Sequence, residues 1–323
     1  MNSLPFAHEL RLAVAAVREA AALCRAVQSG LGRAAMEKKD RSPVTVADFG
    51  SQALVCRTLA ESFPADPVVA EEDSDVLRLP ENAPLLGQVC SFVRRFRDGS
   101  DPEILGWIDH GRALGASGRF WTLDPIDGTK GFLRNEQYAV ALALIVDGVV
   151  EVAALACPNL PAPVGLVFSA ARGQGTWTAP LHSDGEPVRI VVSDRDDPRI
   201  AKFCESVESG HSAHGESASA ASLLGIVSPP VRLDSQAKYA VVARGEADIY
   251  LRLPTRADYR EKVWDHAAGA LIVTEAGGRV TDVSGRPLDF TRGHELASNV
   301  GVVVTNGRLH DRVLEALKTV GEG

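Results

Sequence analysis

A mixed α/β protein built of two unlike parts is what this 323-residue sequence predicts, and three observations carry the reading. Helical spacing dominates the first hundred residues, paired apolar β-rich runs fill 138–177, and helices alternate with strands after about 185. Hydrophobic residues are 45% and charged residues 24%, the balance of a soluble globular chain, which excludes disorder, collagen-like repeats and a long coiled coil as the main architecture. One large or two packed domains suit this length, and the cluster Pro180, Asp184, Gly185 and Pro187 sets the expected boundary near 180–185, dividing 1–182 from 183–323.

The elements follow in order. Leu10, Val14, Val17, Ala21, Cys24 and Gln28 recur at intervals of three and four, which predicts a first helix stopped at Gly30. A second helix is expected over 49–63, opened by Asp48 as N-cap and closed by Pro64. Pro67-Val68-Val69-Ala70 reads as a short strand running into Glu71-Glu72-Asp73. Residues 82–97 put Leu86, Val89, Val93 and Phe96 on one helical face, and the polar stretch from Asp98 to Pro102 reads as an exposed loop. Tyr138 to Asp147 and Val149 to Cys157 turn about Asp147-Gly148 as a hairpin, which Leu166 to Ala170 and Gly175 to Trp177 extend into a largely antiparallel sheet. Helices near 236–244 and 264–276 and strands near 247–251 and 300–304 complete the chain.

A net charge of −8 gives no general field to attract a nucleic-acid backbone, so any phosphate must be held locally. No run approaches the ~18 apolar residues of a membrane span, and Met1-Asn2-Ser3-Leu4-Pro5 lacks the basic and apolar regions of a secretion signal. Cys24, Cys56, Cys90, Cys157 and Cys204 are scattered and form no C-x-x-C pair, which suggests neither a disulfide framework nor a zinc cluster. The expected home is the cytoplasm, with free buried thiols, no membrane or nucleic-acid partner, and a monomer favoured over an oligomer.

Chemistry concentrates in Trp121-Thr122-Leu123-Asp124-Pro125-Ile126-Asp127-Gly128-Thr129, where two carboxylates three residues apart follow a short apolar strand. Such a segment can present Asp124, Asp127 and the Ile126 carbonyl to one hard cation, and oxygen donors without nearby Cys or His favour Mg²⁺. Alone it could equally be a pair of turn formers. Three further acidic positions accompany it: Asp48 after Ser42-Pro43-Val44-Thr45, Glu71 after Val69-Ala70, and Asp265 in Trp264-Asp265-His266-Ala267-Ala268-Gly269. Each taken singly is an ordinary helix-terminus or loop carboxylate.

Together, and in this order, these segments resemble the lithium-sensitive, magnesium-dependent phosphatase superfamily of inositol monophosphatases, fructose bisphosphatases and 3'(2'),5'-bisphosphate nucleotidases. W-x-x-D-P-I-D-G-T and W-D-x-A-A-G are that superfamily's two motifs. Leu233-Asp234-Ser235-Gln236-Ala237-Lys238-Tyr239, Ile249 to Pro254 and Glu261 to Gly269 look closest to the nucleotidase branch, and the likeness runs from about 37 to 305. It implies a layered α/β/α/β/α sandwich of the sugar-phosphatase type. It also implies hydrolysis of the 3'-phosphate of adenosine 3',5'-bisphosphate to AMP and phosphate, with the sulfated analogue as a second substrate. An inositol phosphatase and a non-catalytic nucleotide sensor are the alternatives. Position by position, Glu71, Asp124, Asp127, Asp265 and the Ile126 carbonyl would hold two or three Mg²⁺. Asp48 and Thr129 would orient and deprotonate the attacking water. Gly128, Thr129, Ser235, Lys238, Arg252 and Asp265 would hold the nucleotide, with His211 or His214 contributing. Ala70 and Asp73 depart from the glycine and serine usual at those places.

Overall fold

The computed structural model describes residues 4–30, 35–37, 43–115, 118–161, 165–183, 185–207, 213–256 and 258–321. The first periodic segment forms α1, Ala7–Gly30, with Val17, Ala20, Ala21 and Cys24 fully buried. A two-stranded ribbon of β1, Ala35–Glu37, and β2, Pro43–Thr45, leads straight into α2, Val46–Ser62. The helix therefore begins before Asp48, which lies inside its first turn rather than at the N-cap. Residues 46 to 56 of α2 are all buried, so this helix is a central post and not a surface element.

After β3, Val68–Ala70, comes α3, Ala83–Val93, shorter than its apolar stripe predicts. The polar stretch that follows is exposed, but it also opens a helix absent from the sequence reading. Ser100 and Glu103 form a reciprocal capping box and Pro102 occupies the first turn of α4, Asp101–Asp109. The acidic, glycine-containing composition hid a helix start.

Seven strands form the larger sheet in the order β3-β4-β5-β6-β7-β8-β9, with β4 at Arg119–Asp127, β5 at Ala139–Val146, β6 at Val149–Cys157, β7 at Leu166–Ala171, β8 at Thr176–Pro180 and β9 at Val188–Ile190. Only the β3–β4 pair is parallel. The short helix α5, Thr129–Arg134, follows β4 directly. The remaining elements are β10 (Phe203–Glu205), α6 (His214–Leu223), β11 (Val231–Arg232), α7 (Ala237–Ala243), β12 (Ile249–Arg252), α8 (Ala267–Glu275), β13 (Arg279–Thr281), β14 (Val302–Thr305) and α9 (His310–Gly321). Their strands make a mixed five-stranded sheet, β11-β10-β12-β14-β13.

Alternation along these strands sorts the side chains into layers. Val140, Leu142 and Leu144 of β5 pack with α1 to α4, whereas Ala139, Ala141 and Ala143 face α7 and α8. In the smaller sheet Cys204, Tyr250, Val302 and Val304 close on the same two helices, and Phe203, Ile249, Leu251 and Val303 pack against α6 and α9. The result is helices, sheet, helices, sheet, helices, the five-layer sandwich that the resemblance implies. The alanine-lined face of β5 lets the middle helices approach closely, and that approach brings their N-terminal ends to the end of β4.

Candidate active site

The acidic side of the site begins with an irregularity. The β4–β5 ladder passes from Asp124 opposite Ala141 to Asp127 opposite Ala139, so β4 carries one extra residue. In a regular strand, residues three apart point to opposite faces; one extra residue restores them to the same side. Pro125, which has no N–H to give the ladder, sits in that bulge, and the Ser51 hydroxyl of α2 donates to its carbonyl at 2.8 Å. Parallel pairing of Ala70 with Leu123 then brings Glu71, the next residue, beside Asp124. Gln52 fixes that loop, accepting from Glu72 N–H at 3.0 Å and donating to Glu72 and Ile108 carbonyls at 2.6 and 2.9 Å.

Chain reversal at Gly128 needs a left-handed conformation, φ 87° and ψ 44°, and a Cβ there would lie 3.0 Å from that of Ser235. Across that contact, Asp127 Oδ2 accepts the Gln236 N–H at 2.5 Å. The two motifs thereby share one cleft of about 200 Å³, lined by the carboxylates of Glu71, Asp124, Asp127 and Asp265 and by Ser235, Lys238, Tyr250 and Arg252. Ile126, Gly128 and Thr129 line it as well. Asp48 stands behind Thr129, whose hydroxyl lies 3.5 Å from Asp48 Oδ1 and 3.3 Å from the Ile126 carbonyl.

Burial raises the pKa of Asp124 well above the carboxylate range, and Glu71, Asp127, Asp265 and Asp48 push it the same way. Asp265 is likewise raised by burial and by Asp127, against the pull of Arg252. Asp127 is raised by burial despite Lys238 and the Gln236 N–H. Asp124 is 2% exposed, and its Oδ1 has no hydrogen-bond partner. Crowded oxygen donors with an orphaned lone pair fit a hard divalent cation, which would convert their repulsion into coordination.

The cations that line the cleft are largely engaged. Lys238, 3% exposed, donates to the Leu233 carbonyl at 3.2 Å and lies 5.2 Å from the Tyr250 ring centroid. Burial lowers its pKa and Asp127 opposes that shift. Arg252 Nε donates to Glu261 Oε1 at 3.2 Å, Glu261 Oε2 meets His266 Nε2 at 3.0 Å, and His266 Nδ1 meets the Tyr239 hydroxyl at 2.7 Å. Burial opposes ionisation of Glu261, but Arg252 and the His266 hydrogen bond overcome it and hold its pKa at about 2. Glu261, Asp265 and His266 lie close enough to suggest a ligand trio. Both ring nitrogens of His266 are already committed, however, so Glu261 and His266 work as support for Arg252.

The cleft gathers every site residue named from the sequence except Asp48, which backs it, and the histidines. His214 is the first residue of α6, its buried Nε2 without a hydrogen-bond partner, and it does not line the cleft. His211 lies outside the described residues. Sequence reading missed Gln236, Glu261 and Gln52. The first two stand inside segments that carry the resemblance, but a lone Gln or Glu there has no spacing that separates it from a surface residue.

The profile of the Inositol monophosphatase family matches residues 7–322. The chain belongs to this family. A 3'(2'),5'-bisphosphate nucleotidase of Emericella nidulans is 45% identical over 351 residues, covering 98% of this chain and 99% of the relative. One from Oryza sativa is 46% identical, covering 97% and 94%. The inositol monophosphatase family fold appears in Thermotoga maritima IMPase, TM-score 0.68 at 23% identity over 98% of each chain. It appears again in extragenic suppressor protein suhB from Bartonella henselae, TM-score 0.70 at 20% identity over 97% of this chain and 99% of that one.

Proposed function

We propose that the chain is a Mg²⁺-dependent phosphomonoesterase that removes the 3'-phosphate of adenosine 3',5'-bisphosphate to give AMP and phosphate, and that it accepts the sulfated analogue. One observation carries the reading: mutually repelling carboxylates and the two cations Lys238 and Arg252 line one and the same cleft. That pattern suits a substrate with two anionic groups, one met by cations held among the carboxylates and one by Lys238 and Arg252. Full-length relatives bearing the nucleotidase name support it.

In this reading Glu71, Asp124, Asp127, Asp265 and the Ile126 carbonyl hold two or three Mg²⁺. Bound there, Mg²⁺ supplies the positive charge that acidifies an attacking water and steadies the leaving ribose oxygen. Thr129 Oγ1 holds the water and Asp48 Oδ1 takes its proton. Gly128, without a side chain, leaves room for the phosphate beside Ser235. Ser235, Lys238 and Arg252 grip the remainder of the nucleotide; His214, outside the cleft, takes no part. Asp265 is the one metal ligand from 183–323, so catalysis needs both halves of the chain. A cytoplasmic home is part of the proposal and is supported by the free, buried state of all five cysteines. Among the described residues no helix is long and apolar enough to cross a membrane.

Phosphate release tests the proposal directly, using adenosine 3',5'-bisphosphate, its sulfated analogue, inositol 1-phosphate and fructose 1,6-bisphosphate, each with Mg²⁺, with EDTA and with added Li⁺. The expected result is Mg²⁺-dependent, Li⁺-inhibited release, fastest from the bisphosphate nucleotide, with millimolar Ca²⁺ unable to replace Mg²⁺ because its looser coordination relaxes the geometry. Turnover in EDTA would refute the metal assignment. A preference for inositol 1-phosphate would favour the inositol phosphatase, and nucleotide binding without release would favour the sensor.

Specificity gives a second prediction. Lys238→Ala should lower kcat/KM for the bisphosphate nucleotide by about 10- to 150-fold, the ~1.5–3 kcal/mol of a charge-assisted hydrogen bond, with little change for inositol 1-phosphate. Arg252→Ala would leave Glu261 charged and buried without its partner, so the cleaner probe is Arg252→Met combined with Glu261→Gln. Equal losses on both substrates would remove these cations from the nucleotide subsite.

A further inference from the structure

We propose that Gln236 is the positioning residue that fixes Asp127 and Asp265 at one spacing, so that its hydrogen bonds set the Mg²⁺ affinity of the site. The inference rests on the assignment of those two aspartates as metal ligands. Gln236 is 1% exposed and stands at the N-cap of α7. Its backbone N–H donates to Asp127 Oδ2 at 2.5 Å. Its amide Nε2 donates to the carbonyl of Trp264, the residue before Asp265, at 2.9 Å. Its Oε1 accepts the N–H of Gly269, in the first turn of α8, at 3.0 Å. One residue therefore grips the end of β4 with its backbone and brackets Asp265 on both sides with its side chain.

The geometry leaves this bracket little slack. A Cβ at Gly269 would lie 2.3 Å from the Tyr239 ring, so α7 and the start of α8 are in direct contact. The Tyr239 hydroxyl adds a second tie, to His266 Nδ1 at 2.7 Å. Nothing in the ties between Gln236 and α8 depends on a metal, so they pre-form the spacing. Without them Asp265 and Asp127, which repel each other, are free to separate. Residues that orient metal ligands in this way typically change affinity about 10- to 100-fold when replaced.

Gln236→Met keeps the volume and the backbone bond to Asp127 but loses both side-chain bonds to α8. Calorimetric titration of Mg²⁺ into the substrate-free full chain should show a dissociation constant raised about 10- to 100-fold. The Mg²⁺ concentration for half-maximal phosphate release should rise in parallel, while KM for the nucleotide at saturating Mg²⁺ stays within about threefold. Asn306→Ala is the control. Asn306 is buried and bonds Ser193, Arg195 and Asp248 away from the cleft, so its loss should lower Tm with Mg²⁺ binding unchanged. Should the Met variant fail to fold, Gln236→Asn keeps the amide without its reach and is expected to give the same weakening. Mg²⁺ affinity within twofold of wild type in the folded variant, or equal weakening in Asn306→Ala, overturns the role of Gln236. Absence of Mg²⁺ binding to the wild-type chain instead overturns the metal assignment on which it rests.

Discussion

Asp124→Asn should cost about 10³-fold or more in turnover with Mg²⁺ and yet raise Tm when the protein is unfolded in EDTA. Loss of a ligand removes charge stabilisation on the order of 4 kcal/mol from the transition state. Without metal the same carboxylate is a burden, because it is buried and faces Glu71, Asp127, Asp265 and Asp48. The sign follows from its raised pKa. The folded state holds a proton that the unfolded chain releases in the ordinary carboxylate range near 3.9, so stability is full below that range and falls as pH rises through the raised folded-state value. Metal-free wild type should therefore lose stability as pH rises above the ordinary carboxylate range, by up to about 1.4 kcal/mol per unit for each group involved, and the Asn variant should lose less. Mg²⁺ should oppose that slope, since it binds the deprotonated donors. Thermal melts from pH 4 to 8, in EDTA and in Mg²⁺, check all three statements. An Asn variant less stable than wild type in EDTA at pH 8 would mean that Asp124 is not repelled by its neighbours.

The fold was legible wherever burial forced periodicity. Strands β5 and β6 announce themselves through apolar runs about Asp147-Gly148, and α1 through its three-four spacing, because each is sorted by a large core. Helix α4 was not legible from composition, since Asp, Gly and Ser argue for a loop and only the Ser100/Glu103 pair argues for a helix start. Nor was the entry to α2, where the extended chain turns helical at Val46 and Asp48 is left inside the first turn.

At the site, the carboxylates stood out in the sequence through the combination and order of their segments, and the structure supplies a reason for the spacing of Asp124 and Asp127. The bulge at Pro125–Ile126 turns an alternating strand into one that shows Asp124 and Asp127 to the same cleft. What remained hidden is the support. Gln236, Gln52 and Glu261 act through hydrogen bonds to segments 28, 20 and 9 residues away in sequence, and partners at such separations leave no local pattern. Arg252 shows the cost of reading a cation alone: its charge is real, but Glu261 already holds it, so its reach toward an anion is set by a partner the motif does not include.

Asp48→Asn and Thr129→Ala are expected to lower kcat by about 10²- to 10⁴-fold, the usual scale of general-base assistance, with KM changed only a few-fold. Thr129 Oγ1 has one proton and two acceptors within reach, Asp48 Oδ1 at 3.5 Å and the Ile126 carbonyl at 3.3 Å. When it donates to Asp48, its lone pairs face outward and can accept from a water in the cleft, so a proton leaving that water has a continuous path to Asp48. An amide at position 48 cannot take the proton, and an alanine at 129 breaks the path at its middle. Thr129→Ser should retain most of the rate because it keeps the hydroxyl. The proposed path makes the two residues one unit, so the double variant should be scarcely slower than the worse single variant. Single-turnover phosphate release across pH, for the two single variants and the double, decides the matter. Losses that multiply in the double variant would show that Asp48 and Thr129 serve separate steps, and a change confined to KM would make both of them substrate-binding residues.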